Sequence, residues 1–206
     1  MTRPVSTDGR HARCNASREK ITRAFLEFVR EGVNEPSAQS VAERAGVSVR
    51  TVFRCFEDME ALYQELSAAV RAEFLPRAVL DLNTADRMER LKRLVANRVA
   101  MFGEMEPYRL AAENYRDRYE TFEDDYHFLI AKERERLEIA INPDGALSAE
   151  LFDALTAVTG FGYWRRLRFD LDLTRAGAAR VMEVSACAIL DTLDRIPPVE
   201  DEGGVR

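Results

Sequence analysis

Between Ser17 and Gly32 apolar side chains return every three or four positions. Ile21, Ala24, Phe25 and Phe28 share one face, and Arg18, Lys20 and Arg23 take the other. That period predicts an amphipathic helix. The next apolar set is much shorter. Val41, Ala42 and Ala45 fall on one face with Glu43 and Arg44 pointing away, and Gly46 follows at once. A glycine there ends a helix in the left-handed conformation at least cost. Val47 gives an apolar anchor, Ser48 is a good N-cap, and Val52 and Phe56 recur at i and i+4 in a second short helix. Val49, Arg50, Thr51, Phe53 and Arg54 are left on its outer faces. Two short helices joined by a tight turn with one glycine make a helix-turn-helix, whose second helix enters the DNA major groove. An ordinary hairpin of a helical bundle shares the spacing, but the outward Arg/Thr/Arg set suits a groove better than a core.

Past Phe56 every segment reads helical, with no period-2 alternation long enough for a sheet. A helix is expected over about residues 58–75, stopped near Pro76. The next, over about 84–102, carries Met88, Leu91, Leu94, Val95 and Val99 on one stripe. Pro107 then opens another at an N1-like position. A long charged helix follows over 122–141, ended by the turn Asn142-Pro143-Asp144-Gly145. Ser148 begins a helix reaching about Phe169, Thr174 caps the last one, and Pro197-Pro198 stops it. The expected class is all-α, with about nine helices.

Charge divides the chain in two. Residues 1–56 hold 10 basic and 6 acidic side chains, a net +4, which leaves −10 for the remainder of a chain whose total is −6. A basic head on an acidic body is the asymmetry expected when one end meets a polyanion. The first residues, MTRPVSTDGRHARCNAS, are polar and basic without the apolar stretch of a secretory signal. They read as a flexible arm in which Arg3, Arg10, His11 and Arg13 add to phosphate or minor-groove contact, or as a solvated tail. No apolar run approaches the roughly 18 residues that span a bilayer. Cys14, Cys55 and Cys187 have no metal-like spacing, and their odd number fits a reducing cytoplasm. Cys55 reads as a small core thiol on the recognition helix, where oxidation would unseat DNA.

With AFLEFVREG, the AERAGVS core, the T-V-F-R-x-F recognition helix and an acidic-Met-Glu-Ala-Leu opening to the next helix, Ile21 to Leu62 resembles the DNA-binding domain of the TetR family of transcriptional regulators. The resemblance implies an N-terminal three-helix DNA-binding domain followed by an all-helical ligand-binding and dimerisation domain. Expected limits are 1–16 for the basic arm, 17–62 for the helix-turn-helix domain, 63–196 for the effector and dimer domain, and 197–206 for a disordered tail. Three departures stand out. The family commonly has Tyr where this chain has Phe53, often His at Cys55, and Lys at Met59, so up to two phosphate contacts per subunit are lost.

A ligand-responsive regulator is expected, most simply a repressor that binds a palindromic operator as a dimer and is released by a small molecule. A TetR-like activator, or a regulator acting through a protein partner, is the alternative. Ser48, Thr51 and the start of the recognition helix would bind phosphate with Arg18, Lys20, Arg23 and Ser37. Arg50 would read guanine, Val49 would meet a thymine methyl, and Phe53 and Arg54 complete the surface. Two apolar faces, Leu151, Leu155, Val158 and Phe161 on one helix and Val181, Val184 and Ala188 on the last, would pair across a two-fold axis as a four-helix bundle. The effector pocket would draw on Phe102, Met105, Tyr108, Tyr115, Tyr126, His127, Ile130 and Trp164, mostly aromatic with few polar anchors.

Catalysis is not expected. The chain has no Gly-rich phosphate loop, nucleophile elbow or Cys/His cluster. Its two histidines, His11 and His127, have Asp8 and Asp124 three residues before them, not the Glu of a di-metal bundle. Glu123-Asp124-Asp125 with His127 reads as a solvated first turn favoured by the helix dipole, with no metal or cofactor.

Overall fold

The computed structural model describes residues 7–56, 58–80, 84 and 86–192, and all regular elements among them are helical. They are α1 (Thr7–Arg30), α2 (Ala38–Ala45), α3 (Val49–Cys55), α4 (Met59–Phe74), α5 (Arg87–Glu113), α6 (Glu120–Ile141), α7 (Ala149–Thr159), α8 (Phe161–Arg165) and α9 (Arg175–Leu190). A 3-10 turn, Leu75–Ala78, follows α4, and a π-helical turn, Arg166–Asp170, follows α8. No described helix is long and apolar enough to cross a membrane. The chain forms two compact units, Met1–Pro76 with Met105–Tyr126, and Arg77–Glu104 with His127–Arg206.

The first unit is built on α1. Ile21, Ala24 and Phe25 are buried as the periodicity requires, whereas Phe28 is half-buried beneath the Arg44 guanidinium at 3.4 Å. Helix α1 starts at Thr7, so residues 7–16 extend it rather than forming a loose arm. Neither glycine nor proline occurs between Arg10 and Glu31, and nothing in that stretch stops a helix. Arg3 and the side chains of Arg10, His11 and Arg13 lie outside the described residues, as do Pro197-Pro198 and the tail 197–206.

This unit reaches well past residue 62, because an aromatic cluster draws in the segment around 115–122. Tyr63 of α4 meets Tyr115, Tyr119 and Phe122 with ring centroids 5.0, 4.7 and 5.0 Å away, and Phe25 of α1 edge-on at 6.2 Å. The Tyr115 hydroxyl donates to the Asn34 carbonyl oxygen at 2.8 Å, and Arg71 pairs with Asp125. Buried aromatic pairs of this geometry each add about 0.5–1.5 kcal/mol beyond the area they bury.

In the second unit Leu91, Leu94 and Phe102 of α5, Leu137 and Ile141 of α6, Leu155 of α7, Trp164 of α8 and Met182 of α9 share one core. Buried within it is a cation. Arg98 donates to the Thr159 carbonyl oxygen at 3.1 Å, to the Thr159 hydroxyl, and to the Glu133 carbonyl oxygen. Burial pulls its pKa down to about 10 against the opposing pull of Glu133, so it stays charged at neutral pH.

Two boundaries differ from the periodic reading. Pro107 opens no helix but sits inside α5. Proline removes one intrahelical bond, yet Phe102, Met105 and Tyr108 on either side are buried, and that stripe carries the helix through. The helix expected from Ser148 to Phe169 is broken at Gly160, in extended conformation at φ −84° and ψ 165°. A Cβ there would stand 3.1 Å from the Thr156 carbonyl oxygen and 3.3 Å from a Glu133 carboxylate oxygen. That carboxylate accepts from the Phe161 N–H at 3.3 Å, satisfying the start of α8 in place of a helical bond.

Replacing Thr159→Val keeps the side-chain volume but leaves part of the buried guanidinium without an acceptor. The expected loss is about 1–3 kcal/mol of stability in urea denaturation. An unchanged midpoint would show that Arg98 does not depend on the hydroxyl.

Candidate nucleic-acid interface

Local chemistry shapes α2 and α3. The Ser37 hydroxyl accepts from the Ser40 N–H at 3.1 Å and opens α2. Gly46 ends it at φ 66° and ψ 35°, while the Val47 N–H reaches back to the Ala42 carbonyl oxygen at 3.0 Å. Ser48 then caps α3, accepting from the Thr51 N–H at 3.1 Å with its hydroxyl 2.8 Å from that of Thr51.

The two sides of α3 differ sharply. Val52, Cys55 and Phe56 are buried, and Val49 and Thr51 are half-buried. Arg50 and Arg54 are exposed, and Phe53 is 65% exposed. An exposed aromatic between two arginines is not a packing surface of the monomer. Lys20 and Arg23 of α1 are exposed, and the Ser37 and Ser48 hydroxyls lie at the surface, paired only with neighbouring hydroxyls and cap N–H groups.

Arg18 departs from the solvent-facing position that the helical period gave it. Its Nη1 donates to the Cys55 carbonyl oxygen at 2.7 Å, and its Nε and Nη2 donate to Glu65 of α4 at 2.9 and 2.6 Å. The same guanidinium lies 4.6 Å from the Phe56 ring centroid. One side chain on α1 therefore holds the C-terminal end of α3 and ties it to α4. Cys55 is 4% exposed, so its position faces the core rather than a ligand. The Met59 side chain lies outside the described residues.

Residues 21–66 match the family model described as bacterial regulatory proteins, tetR family. The match runs from within α1 through the capped turn and the two-faced α3 to Glu65, the anchor of Arg18, and Leu66. Residues 21–66 thus carry the N-terminal, DNA-binding segment of the tetR family. The fold agrees beyond that segment. A crystal structure of a transcriptional regulator from Rhodococcus sp. Rha1 superposes with a TM-score of 0.64 at 16% identity, over 87% of this chain and 99% of that one. A protein assigned to the TetR family of transcriptional regulators from Mesorhizobium loti MAFF303099 gives 0.61, also at 16% identity, over 87% and 98%. At that identity the likeness speaks for the fold. No curated protein matches the chain.

The residues expected around an effector are spread over both units of the chain. Met105, Tyr108, Tyr115 and Tyr126 belong to the unit with the helix-turn-helix, and Phe102, His127, Ile130 and Trp164 to the other. Tyr115 packs on Tyr63, and Tyr108 lies against Phe74 with centroids 6.1 Å apart. Phe102 contacts Phe161 and Trp164, Tyr126 lies under Arg116 at 3.6 Å, and His127 is exposed. Of the expected dimer residues, Leu151, Leu155 and Phe161 are buried within their own unit. Val158 and Val181 are half-buried, Val184 is 53% exposed and Ala188 is exposed.

Sequence reading missed the clamp made by Arg18 and the aromatic cluster on Tyr63. The only local signal for the clamp is that Cys14 and Arg18 are four residues apart on one helix, and both address Cys55.

Gly46→Ala tests the turn. Nothing lies within 4 Å of the added Cβ, so the cost is backbone strain alone, about 1–2 kcal/mol in chemical denaturation. Gly46→Asn is expected to recover part of it, and equal losses for both would point to a contact rather than to φ.

Proposed function

We propose that this TetR-family regulator is a repressor that binds a palindromic operator as a homodimer and is released by a small-molecule effector. The supporting observation is the two-faced α3, with Val52, Cys55 and Phe56 buried beneath exposed Arg50, Phe53 and Arg54. Arg50 reads guanine through its planar fork, and Val49 and Phe53 offer apolar contact to thymine methyls. Arg54 adds a base or phosphate contact. The Ser37, Ser48 and Thr51 hydroxyls with Lys20 and Arg23 hold phosphates, which fix register without reading sequence. Arg18 is better suited to positioning α3 than to touching DNA, since all three of its donor nitrogens are engaged within the head.

Dimerisation fits the exposed side of α9, where Val184 is 53% exposed and Ala188 is exposed among the described residues. Leu151, Leu155 and Phe161 support the monomer core beneath that face. Two heads about 34 Å apart read two half-sites on one side of the duplex.

Selection of genomic fragments with the purified protein, at two salt concentrations, tests the reading. One palindromic motif is expected to be enriched at both. Weak, unselective binding that vanishes at moderate salt would reduce the head to plain electrostatics and overturn it. Within the selected operator, Arg50→Ala is expected to cost about 1–3 kcal/mol and to relax preference at one position per half-site. Equal weakening on every sequence would instead make Arg50 a phosphate contact.

A further inference from the structure

Cys14 of α1 and Cys55 at the end of α3 are 41 positions apart in sequence, yet their sulfurs are 4.0 Å apart. A disulfide holds its sulfurs at about 2.05 Å, so an approach of roughly 2 Å separates these free thiols from a bond. The two differ in access. Cys14 is half-exposed, whereas Cys55 is 4% exposed. One turn along α1 from Cys14, Arg18 holds the carbonyl oxygen of the same Cys55. Two side chains of one helix thus grip a single residue of the recognition helix, one at its sulfur and one at its backbone.

We propose that Cys14 and Cys55 are an oxidation-responsive dithiol whose disulfide, closed by a hydroperoxide, displaces α3 and disables the DNA-binding face. Cys14 is the thiol a hydroperoxide reaches first. Its thiolate attacks one peroxide oxygen and the O–O bond breaks. The departing oxygen takes up a proton and leaves as water, or as an alcohol from an organic hydroperoxide. Cys14 is then a sulfenic acid. The Cys55 sulfur attacks the Cys14 sulfur, the S–O bond breaks, and the leaving hydroxide carries off the Cys55 proton as water. The two sulfurs together lose two electrons, and the peroxide gains them. A small dithiol reverses the bond by exchange.

Burial pushes the Cys55 thiol up, reinforced by Cys14 and opposed by Arg54 and Arg18. A buried, protonated thiol is a poor target for an oxidant arriving from solvent. Beside an already oxidised Cys14 its nearness makes it the resolving partner. Closing the gap moves the last turn of α3 relative to α1, and Val52 and Phe56 cannot keep their seats while Cys55 shifts by ångströms. Bidentate base contacts tolerate far less displacement than that. The loss of operator binding rests on the DNA-reading function proposed above, but formation of the bond does not.

The experiment treats purified full-length protein with hydrogen peroxide, blocks remaining thiols, and maps tryptic peptides without reduction. Wild type and Cys187→Ser are expected to yield peptide 14–18 joined to peptide 55–71, and Cys14→Ala is not. Amide exchange across residues 49–55 is expected to rise at least tenfold in the oxidised form and to return with dithiothreitol. Operator affinity is expected to fall at least tenfold in wild type and to stay constant in Cys14→Ala. Absence of the joined peptides, at peroxide levels that oxidise Cys187, would overturn the proposal. So would a disulfide that leaves both exchange and operator affinity unchanged. If the reduced protein selects no DNA, the operator reading fails alone, and the joined peptides with amide exchange still decide the dithiol.

Discussion

A helix of seven residues does not hold its shape in water, and α3 has only seven. Nucleation fixes several dihedrals for one hydrogen bond, so a helix this short exists only where its neighbours repay that cost. Much of the head can be understood as that repayment. Ser48 supplies the missing acceptor at one end, and Gly46 directs the chain so that Ser48 arrives at the right place. Val52, Cys55 and Phe56 bury the inner side. At the other end a carbonyl without an intrahelical partner is taken by Arg18. Arg18 is in turn held by Glu65 of α4, and α4 is fixed through Tyr63 to the aromatic segment around residues 115–122. The exposed residues of α3 are therefore only as well placed as this chain of supports.

Arginine suits the load that Arg18 carries. Its flat fork donates along two edges at once while its face lies on Phe56, a combination a lysine ammonium cannot reproduce. Arg98 uses the same geometry in a harsher setting, reaching carbonyl oxygens on two different segments from inside the second core. Burying a charge there is favourable only because each contact is made, and breaking one costs more than the contact adds.

Features written into neighbouring residues were legible in the sequence. The αL turn at Gly46, the caps at Ser48 and Thr174 and the buried face of α1 all depend on side chains within a turn or two of each other. What escaped depends on partners far along the chain. Arg18 reads as solvent-facing on a helical wheel because Glu65 is 47 positions away. Tyr115 packs on Tyr63, a ring far back along the chain that α4 brings to it. Pro107 and Gly160 failed in opposite senses. Burial on both sides overrode the proline, and the glycine permits a carboxylate approach that no periodicity records.

The departures from the family pattern gain different weights once burial is known. Cys55 is turned inward, so the absence of a polar side chain there removes nothing from the outer face of this protein. Phe53 is another matter, since it leaves a large apolar ring 65% exposed beside the exposed Arg50 and Arg54. On the proposed reading that ring gives up a phosphate hydrogen bond, which is blind to sequence, for apolar contact with a base edge, which is not. A neutral hydroxyl neutralises no phosphate charge, so losing that bond weakens non-specific binding without changing the number of counterions released. The exchange raises discrimination while lowering affinity for random DNA. On that same proposal the work of docking passes to Lys20, Arg23 and the serine and threonine hydroxyls at the starts of α2 and α3.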